Sequence, residues 1–229
     1  MKDEARGQGG ALRPMKAKVF VCSTLADEIE KFLPQGMSCE LLPYALHRDP
    51  RKLNLELQSR IDADLDHDTL LFAYGLCSNG VVNLHSKNHS LVIPRVHDCI
   101  SLLLGSRQIY QQEFEKKPGT FYLSKGWIDQ GGEPRAEFLE YCVKYGEENA
   151  RYIIDTEYHH YKRLVFIDTG VGNHERLMEH SKQVAEFMGA SFEEKKSSCR
   201  LLERLVTGDW DKDFVVIPPK MMVTQESFF

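Results

Sequence analysis

The chain has 229 residues, a net charge of -5, a pI of about 6.0 and 42% hydrophobic residues. That is enough for one large domain, or two small lobes, around a sizeable core. No Lys/Arg-rich face or aromatic-basic repeat points to nucleic acid, no apolar run approaches the roughly 20 residues of a membrane span, and "MKDEARGQGGALRP" lacks the apolar core of an export signal.

That opening stretch is polar and Gly-rich, so residues 1–15 are expected to form a disordered tail, with Met15 a candidate start. "AKVFVCST" (17–24) follows as a buried strand. "LADEIEKFL" has helical spacing, with Thr24 as its expected N-cap. "CELLPYALH" reads as an extended segment near a sheet edge. In "DPRKLNLELQSRID", Asp49 caps a helix, Pro50 takes its first position, and Leu53, Leu57 and Ile61 form its apolar stripe. "TLLFAYGLC" and "SLVIPRV" are two further strands, and "DCISLLLGSRQIYQQEFE" a helix with an acidic cap. "PGTFYLSKGWIDQGGEPRAE" reads as a long structured loop or small hairpin. "FLEYCVKYGEENARYIIDTEYHHY" is helical, with a break at Gly146. A second α/β unit then runs through "RLVFIDTG", "HERLMEHSKQVAEFMG", "SFEEKKSS", "CRLLERLVTG" and "DFVVIPP".

This alternation predicts an α/β fold with a mostly parallel, Rossmann-like sheet sandwiched by helices. Residues 16–229 then form a single domain, with two related lobes at about 16–125 and 160–229 and a helical or loop connection between them. A cleft is expected between the turns "YGLCSNG" and "DTGVGN".

Ligands of open α/β sheets bind beyond the carboxyl ends of the strands. Cys22 ends the first strand, Cys77 ends "FAYGLC", and His97 and Cys99 follow "LVIPRV". Three strands thus deliver a cysteine to one sheet edge. Thiolate and imidazole suit zinc with an open coordination position, and three thiolates also suit a four-iron cluster with one iron free. Against this stands the ordinary burial of free cysteine in cores. A third reading makes Cys99 a nucleophile at a helix start, with His97 as its base beside Asp98. The remaining cysteines read as bystanders: Cys142 as core, Cys39 as isolated, and Cys199 as at most a remote fourth ligand. The chain has no need of disulfide staples, so all six thiols are expected to be reduced and the protein cytoplasmic.

Gly75, Asn79 and Gly80 in the first turn, and Thr169 and Gly170 in the second, are candidates to cradle an anionic group with their amides. Neither turn matches a nucleotide fingerprint. Tyr122, Lys125 and Trp127 lie on a loop that could close over a flat or methylated ligand or pack the join between lobes. His47 ends the second extended segment and so falls at the same expected edge as the cysteines, its plainer reading being a solvated turn histidine, and His159 and His160, being adjacent, do not face one way on a helix.

The strings "YGLCSNG", "LVIPRVHDCISLLLGS", "PGTFYLSKGWI", "FIDTG" and "DFVVIPP" together resemble the bacterial and archaeal family catalogued as domain of unknown function 1638, over nearly all of the chain after residue 16. The resemblance brings no activity with it. It implies that Cys22, Cys77, Cys99 and His97 belong to a shared site. It also implies a neighbourhood of corrinoid-dependent methyltransferases, whose zinc enzymes use similar ligand types on a different fold. The expected function is therefore a metal-thiolate enzyme acting on a small molecule. Methyl or related group transfer to a thiol would involve His97 and Asp98 as catalytic groups, and a corrinoid-system protein would be a partner. The alternatives are an iron-sulfur enzyme of a small hydroxy- or thio-acid, and a non-enzymatic corrinoid- or metal-binding accessory protein.

Overall fold

The computed structural model describes residues 16–229, so the tail expected over 1–15 lies outside the described residues. Strand β1 (Ala17–Cys22) is apolar on both faces, as a central strand must be. Its parallel neighbours are β2 (Ser38–Leu42) and β3 (Thr69–Ala73). Next to β3 runs β4 (Ser90–Pro94), also parallel, and the sheet closes with antiparallel β8 (Phe214–Ile217). The order is β2-β1-β3-β4-β8. A second, wholly parallel sheet has the order β5-β6-β7, from Thr120–Leu123, Arg163–Asp168 and Ser191–Lys196. The α/β architecture with a mostly parallel sheet is as the alternating elements imply.

Side chains alternate between two cores. Phe20, Cys22, Phe72 and Tyr74 point to one face of the first sheet, where helix α2 (Pro50–Ala63) lays down Leu53, Leu57 and Ile61. Asp49 caps α2 by accepting from the Lys52 amide, and Pro50 fills its first turn, as its sequence dictates. Val19, Val21, Leu71 and Ala73 point the other way, against α1 (Ala26–Glu30), α3 (Cys99–Leu103) and α9 (Arg200–Thr207). Val165 and Ile167 of β6 enter this same core, so the two sheets share it.

The two sheets do not follow the expected lobe limits of 16–125 and 160–229. Strand β5 of the second sheet lies inside the first of these segments, while α9 and β8, late in the second, return to the first sheet. Element order alone does not say which sheet a returning strand joins. Other boundaries also shift. The helix expected over residues 98–115 is two helices, α3 and α4 (Arg107–Lys116), parted at Gly105 with φ +74° and restarted by the Ser106 cap. The expected loop contains β5 and a short helix, α5 (Lys125–Asp129). Leu25, not Thr24, stands at the α1 N-cap, behind a 3-10 turn over Ser23–Leu25. The helix break at Gly146 falls where the sequence puts it, between α6 (Pro134–Tyr145) and α7 (Glu147–Tyr158). Helix α8 (His174–Met188) stops at Gly189.

Candidate functional site

The carboxyl edge of the first sheet is built by two close backbone approaches. Beyond β3 and β4 the chains stay paired: Leu76 N–H donates to Val96 O at 2.8 Å, and Cys77 N–H to His97 O at 2.9 Å. Gly75 permits this, since a Cβ there would lie 2.7 Å from the Asp98 nitrogen and 2.8 Å from the Val96 oxygen. Gly75 therefore serves to bring the Cys77 turn against the Cys99 turn. The second approach is tighter. A Cβ on Gly126 would lie 1.9 Å from the Thr24 carbonyl oxygen, so α5 sits directly on the turn after Cys22. This contact carries Trp127 over the same sheet edge.

Three thiols gather there. Cys99 is pushed far above the ordinary thiol range, first by burial, then by the Asp98 carboxylate and by the thiols of Cys77 and Cys22. Cys77 is pushed up to about 12 by burial, with Asp98 and Cys22 adding to it. Cys22 is raised by burial against the opposing effect of Thr24, whose hydroxyl donates to its sulfur at 3.2 Å. Burial raises the Tyr74 hydroxyl too, and the proximity of all three cysteines adds to that effect. Cys22 is buried, while Cys77 and Cys99 are half-buried and keep part of their surface at solvent.

The backbone at Cys77 is strained. Cys77, Ser78 and Asn79 have φ of 47°, 54° and 70°, three successive non-glycine residues in the left-handed region. At Cys77 and Ser78 this costs about 1–2 kcal/mol each, whereas Asn tolerates the region, and such strain concentrates at functional sites. Two polar atoms beside the thiols are buried without a partner: the Tyr74 hydroxyl and the Trp127 indole nitrogen. The indole N–H faces Cys99 and slightly favours its thiolate, without making a hydrogen bond of ordinary geometry.

These donors suit a soft metal, because all three are thiols and each would be deprotonated by a bound cation. Their spacing is open. Among the described residues, only Asp168, His174 and Glu194 bring three ligand atoms within 4.8 Å of one another. At least one pair of the three sulfurs is therefore more than 4.8 Å apart, wider than the roughly 4 Å between sulfurs of one tetrahedral zinc site. The Asp168 group is a separate, solvent-facing arrangement at the end of β6, in which His174 bonds Glu194 at 2.7 Å.

The remaining expected site residues are placed as follows. The His97 ring packs on Phe229, with centroids 5.8 Å apart, and makes no side-chain hydrogen bond among the described residues. Asp98 caps α3, accepting from the Ile100 and Ser101 amides at 3.0 and 3.2 Å, and its carboxylate meets the Tyr110 hydroxyl. Gly80 packs against Leu53, and its amide donates to Cys77 O. The Asn79 carbonyl accepts from Val82. In the second turn, Gly170 N–H is taken by Asp168 at 2.9 Å, and Thr169 donates to Glu28 at 2.8 Å while its carbonyl accepts from Lys31 at 2.7 Å. That turn thus meets α1. Cys199 lies apart, its thiol directed to Leu103 O at 3.6 Å. Cys39 is exposed and Cys142 half-buried.

His47 belongs at this edge and is not a solvated turn residue. Its ring lies edge-on to Trp127 at 5.0 Å, beside Tyr44, its Nδ1 meets Tyr44 O, and burial lowers its pKa. It stands in a 3-10 turn over Tyr44–Arg48 that follows β2, and its place at the end of the expected extended segment is the sequence signal that points to this edge.

The family described as "Protein of unknown function (DUF1638)" matches residues 41–206. The chain belongs to the DUF1638 family. The match takes in Cys77, His97, Cys99 and Trp127, while β1 with Cys22 lies before it and β8 after it. Comparison with curated proteins and with solved structures finds no match.

Proposed function

We propose that this DUF1638 protein is a metal-thiolate enzyme of small-molecule metabolism in which Cys22, Cys77 and Cys99 hold a zinc ion. The observation that carries the reading is the convergence of three thiols at one sheet edge, each made less acidic by burial and two of them by their neighbours. A bound cation removes that penalty for all three at once. Zinc would supply Lewis acidity and a lowered pKa for a thiol in its open position, which suits transfer of a methyl or related group. Trp127 and Tyr74 would close the site to water. Asp98 would fix the Cys99 turn through its cap, and His97 stands at the rim beside Phe229. A corrinoid-system protein is the partner this reading adds from the family's neighbourhood.

The open spacing of the sulfurs favours a second reading. A four-iron cluster directs each thiolate outward from a different corner, so its cysteine sulfurs lie farther apart than those around one ion. Anaerobic purification followed by elemental analysis and an absorption spectrum separates the two. One zinc per chain and no colour supports the first reading; about four irons and a brown chromophore supports the second. Under either, Cys99→Ser, Cys77→Ser and Cys22→Ser lose metal while Cys142→Ser keeps it. Full metal content in Cys99→Ser, or no metal in the parent protein under anaerobic conditions, overturns both.

A further inference from the structure

Next to the cysteine corner, and sharing Asp98 and Trp127 with it, is a cavity of about 380 Å³. Its walls are aromatic: Tyr110 and Phe114 from α4, Phe121 and Tyr122 from β5, Trp127 from α5, and Tyr161. The rings support one another. Tyr110 lies 6.4 Å from Phe114 and 6.1 Å from Tyr122, and Phe121 meets Tyr161 edge-on at 5.5 Å. Ordinary core packing would fill such a space with side chains. Here it stays open, and the Tyr122 hydroxyl beside it is buried without a hydrogen-bond partner.

The charges decide the kind of ligand. Lys117 lines the rim, but its ammonium is paired with Glu193 at 2.5 Å. Behind β5, Arg163 and Lys195 are likewise paired with Glu113 and Glu193. Asp98 differs. Its Oδ1 receives two backbone amides, both neutral donors, the Tyr110 hydroxyl lies nearby, and among the described residues it has no ion-pair partner. The cavity thus combines aromatic rings, whose faces carry negative charge, with a carboxylate that lacks a counter-cation. That combination selects a compact, weakly hydrated organic cation, whose charge is spread over alkyl groups that the rings can cover.

We infer that this cavity is a binding site for a small onium cation, a quaternary ammonium or sulfonium group, seated against Trp127 and Tyr122 with Asp98 as its counter-charge. A metal ammonium-like point charge is not required, and the inference stands without the metal reading, since no part of it involves the thiols. The methyl groups next to the cationic centre carry partial positive charge. They can rest on the ring faces. The proximity of Asp98 and Trp127 to Cys99 would place such a ligand at the edge of the thiol cluster.

The test uses the full chain and calorimetric titration with choline, with 3,3-dimethylbutan-1-ol as its uncharged isostere, and with benzoate. Choline should bind saturably, the isostere at least tenfold more weakly, and benzoate more weakly still. Asp98→Asn keeps a cap acceptor for α3 and should weaken choline at least fivefold. Phe114→Leu, at a ring that is 56% exposed and so dispensable for folding, should weaken it at least threefold. Equal binding of choline and the isostere would make the cavity merely apolar. Tighter binding of benzoate would assign it to an anion through Lys117 and His160. Absence of saturable choline binding, or choline binding untouched by both variants, also overturns the inference. Metal content is measured in the same samples. Loss of choline binding with metal retained separates this site from the thiol centre.

Discussion

Gly126→Ala distinguishes local propensity from tertiary contact by the sign of its effect. Gly126 lies in the first turn of α5 and its φ is not in the left-handed region. Helix propensity alone therefore predicts a gain of up to about 1 kcal/mol. The contact predicts the reverse. The added Cβ would lie 1.9 Å from the Thr24 carbonyl oxygen, so the two segments must part by about 1.5–2 Å to reach ordinary contact. The clash is with backbone rather than the end of a flexible side chain, and overpacking of this kind costs about 1–3 kcal/mol. For a chain of this size that lowers Tm by about 2–12 °C. Because α5 carries Trp127, the same shift should change the emission of that indole and reduce metal content. Gly189→Ala is the control: its Cβ meets nothing within 4 Å at φ +63°, so it costs about 1–2 kcal/mol of left-handed backbone and leaves Trp127 alone. Thermal unfolding with tryptophan emission reads both variants. A Gly126→Ala protein with an equal or higher Tm and unchanged emission would refute the close approach.

Glu28 is buried, with one oxygen bonded to Thr169 and the other unpartnered, and burial raises its pKa above 4.5. The stability linked to its protonated form is complete below the unfolded pKa and is lost as pH rises through the raised folded value. Glu28→Gln should therefore flatten the fall in stability from pH 4.5 upward; an unchanged slope in denaturant titrations at several pH values would contradict this. Asp49→Ala removes the acceptor for the Lys52 amide and should cost about 0.5–2 kcal/mol, with no loss of metal; a neutral effect on unfolding would mean that the cap does not form. Ser78→Gly relieves left-handed strain at φ 54°, which is worth about 1–2 kcal/mol less the extra entropy of unfolded glycine. If the strain holds Cys77 in place, Tm rises while metal affinity falls; a rise in both would show the strain to be incidental.

Much of the fold was legible because its elements advertise themselves. The Asp49-Pro50 start of α2, the break at Gly146 and the apolar runs of β1, β3 and β4 all need only local physics. The edge carrying Cys22, Cys77 and Cys99 was legible for the same reason, since successive parallel strands must end on one side. What was hidden depended on long-range contacts. No local signal says that β8 pairs antiparallel with β4, or that β5 founds a separate sheet. The role of Gly75 and Gly126 as points of backbone contact is visible only once Asp98 and Thr24 lie opposite them. The sequence places His47 at this edge, but its packing on Trp127, eighty residues away, has no local signal. The cap role of Asp98 is local, whereas its place at an aromatic cavity exists only once α4 and β5 fold beside it.

The acidity of the thiols bears on the choice between ligand and nucleophile. A nucleophilic cysteine works as a thiolate, and reactive cysteines accordingly sit where positive charge lowers their pKa. Cys99 has the opposite surroundings: burial, the Asp98 carboxylate and two further thiols. Its helix, α3, has five residues, and a helix terminus contributes only about 0.3–1 kcal/mol in favour of an anion. The His97 ring, the expected base, rests on Phe229. Alone, then, Cys99 stays protonated at neutral pH. Yet a cluster of protonated thiols needs neither the strained turn at Cys77 nor the close pairing that Gly75 permits, and it gives no account of the unpartnered Tyr74 and Trp127 groups around it. On the reading proposed here, a multivalent cation would reverse the sign of the electrostatics at all three sulfurs together, so the burial that penalises each thiolate, and the proximity that adds to it at Cys77 and Cys99, would become the condition for binding it.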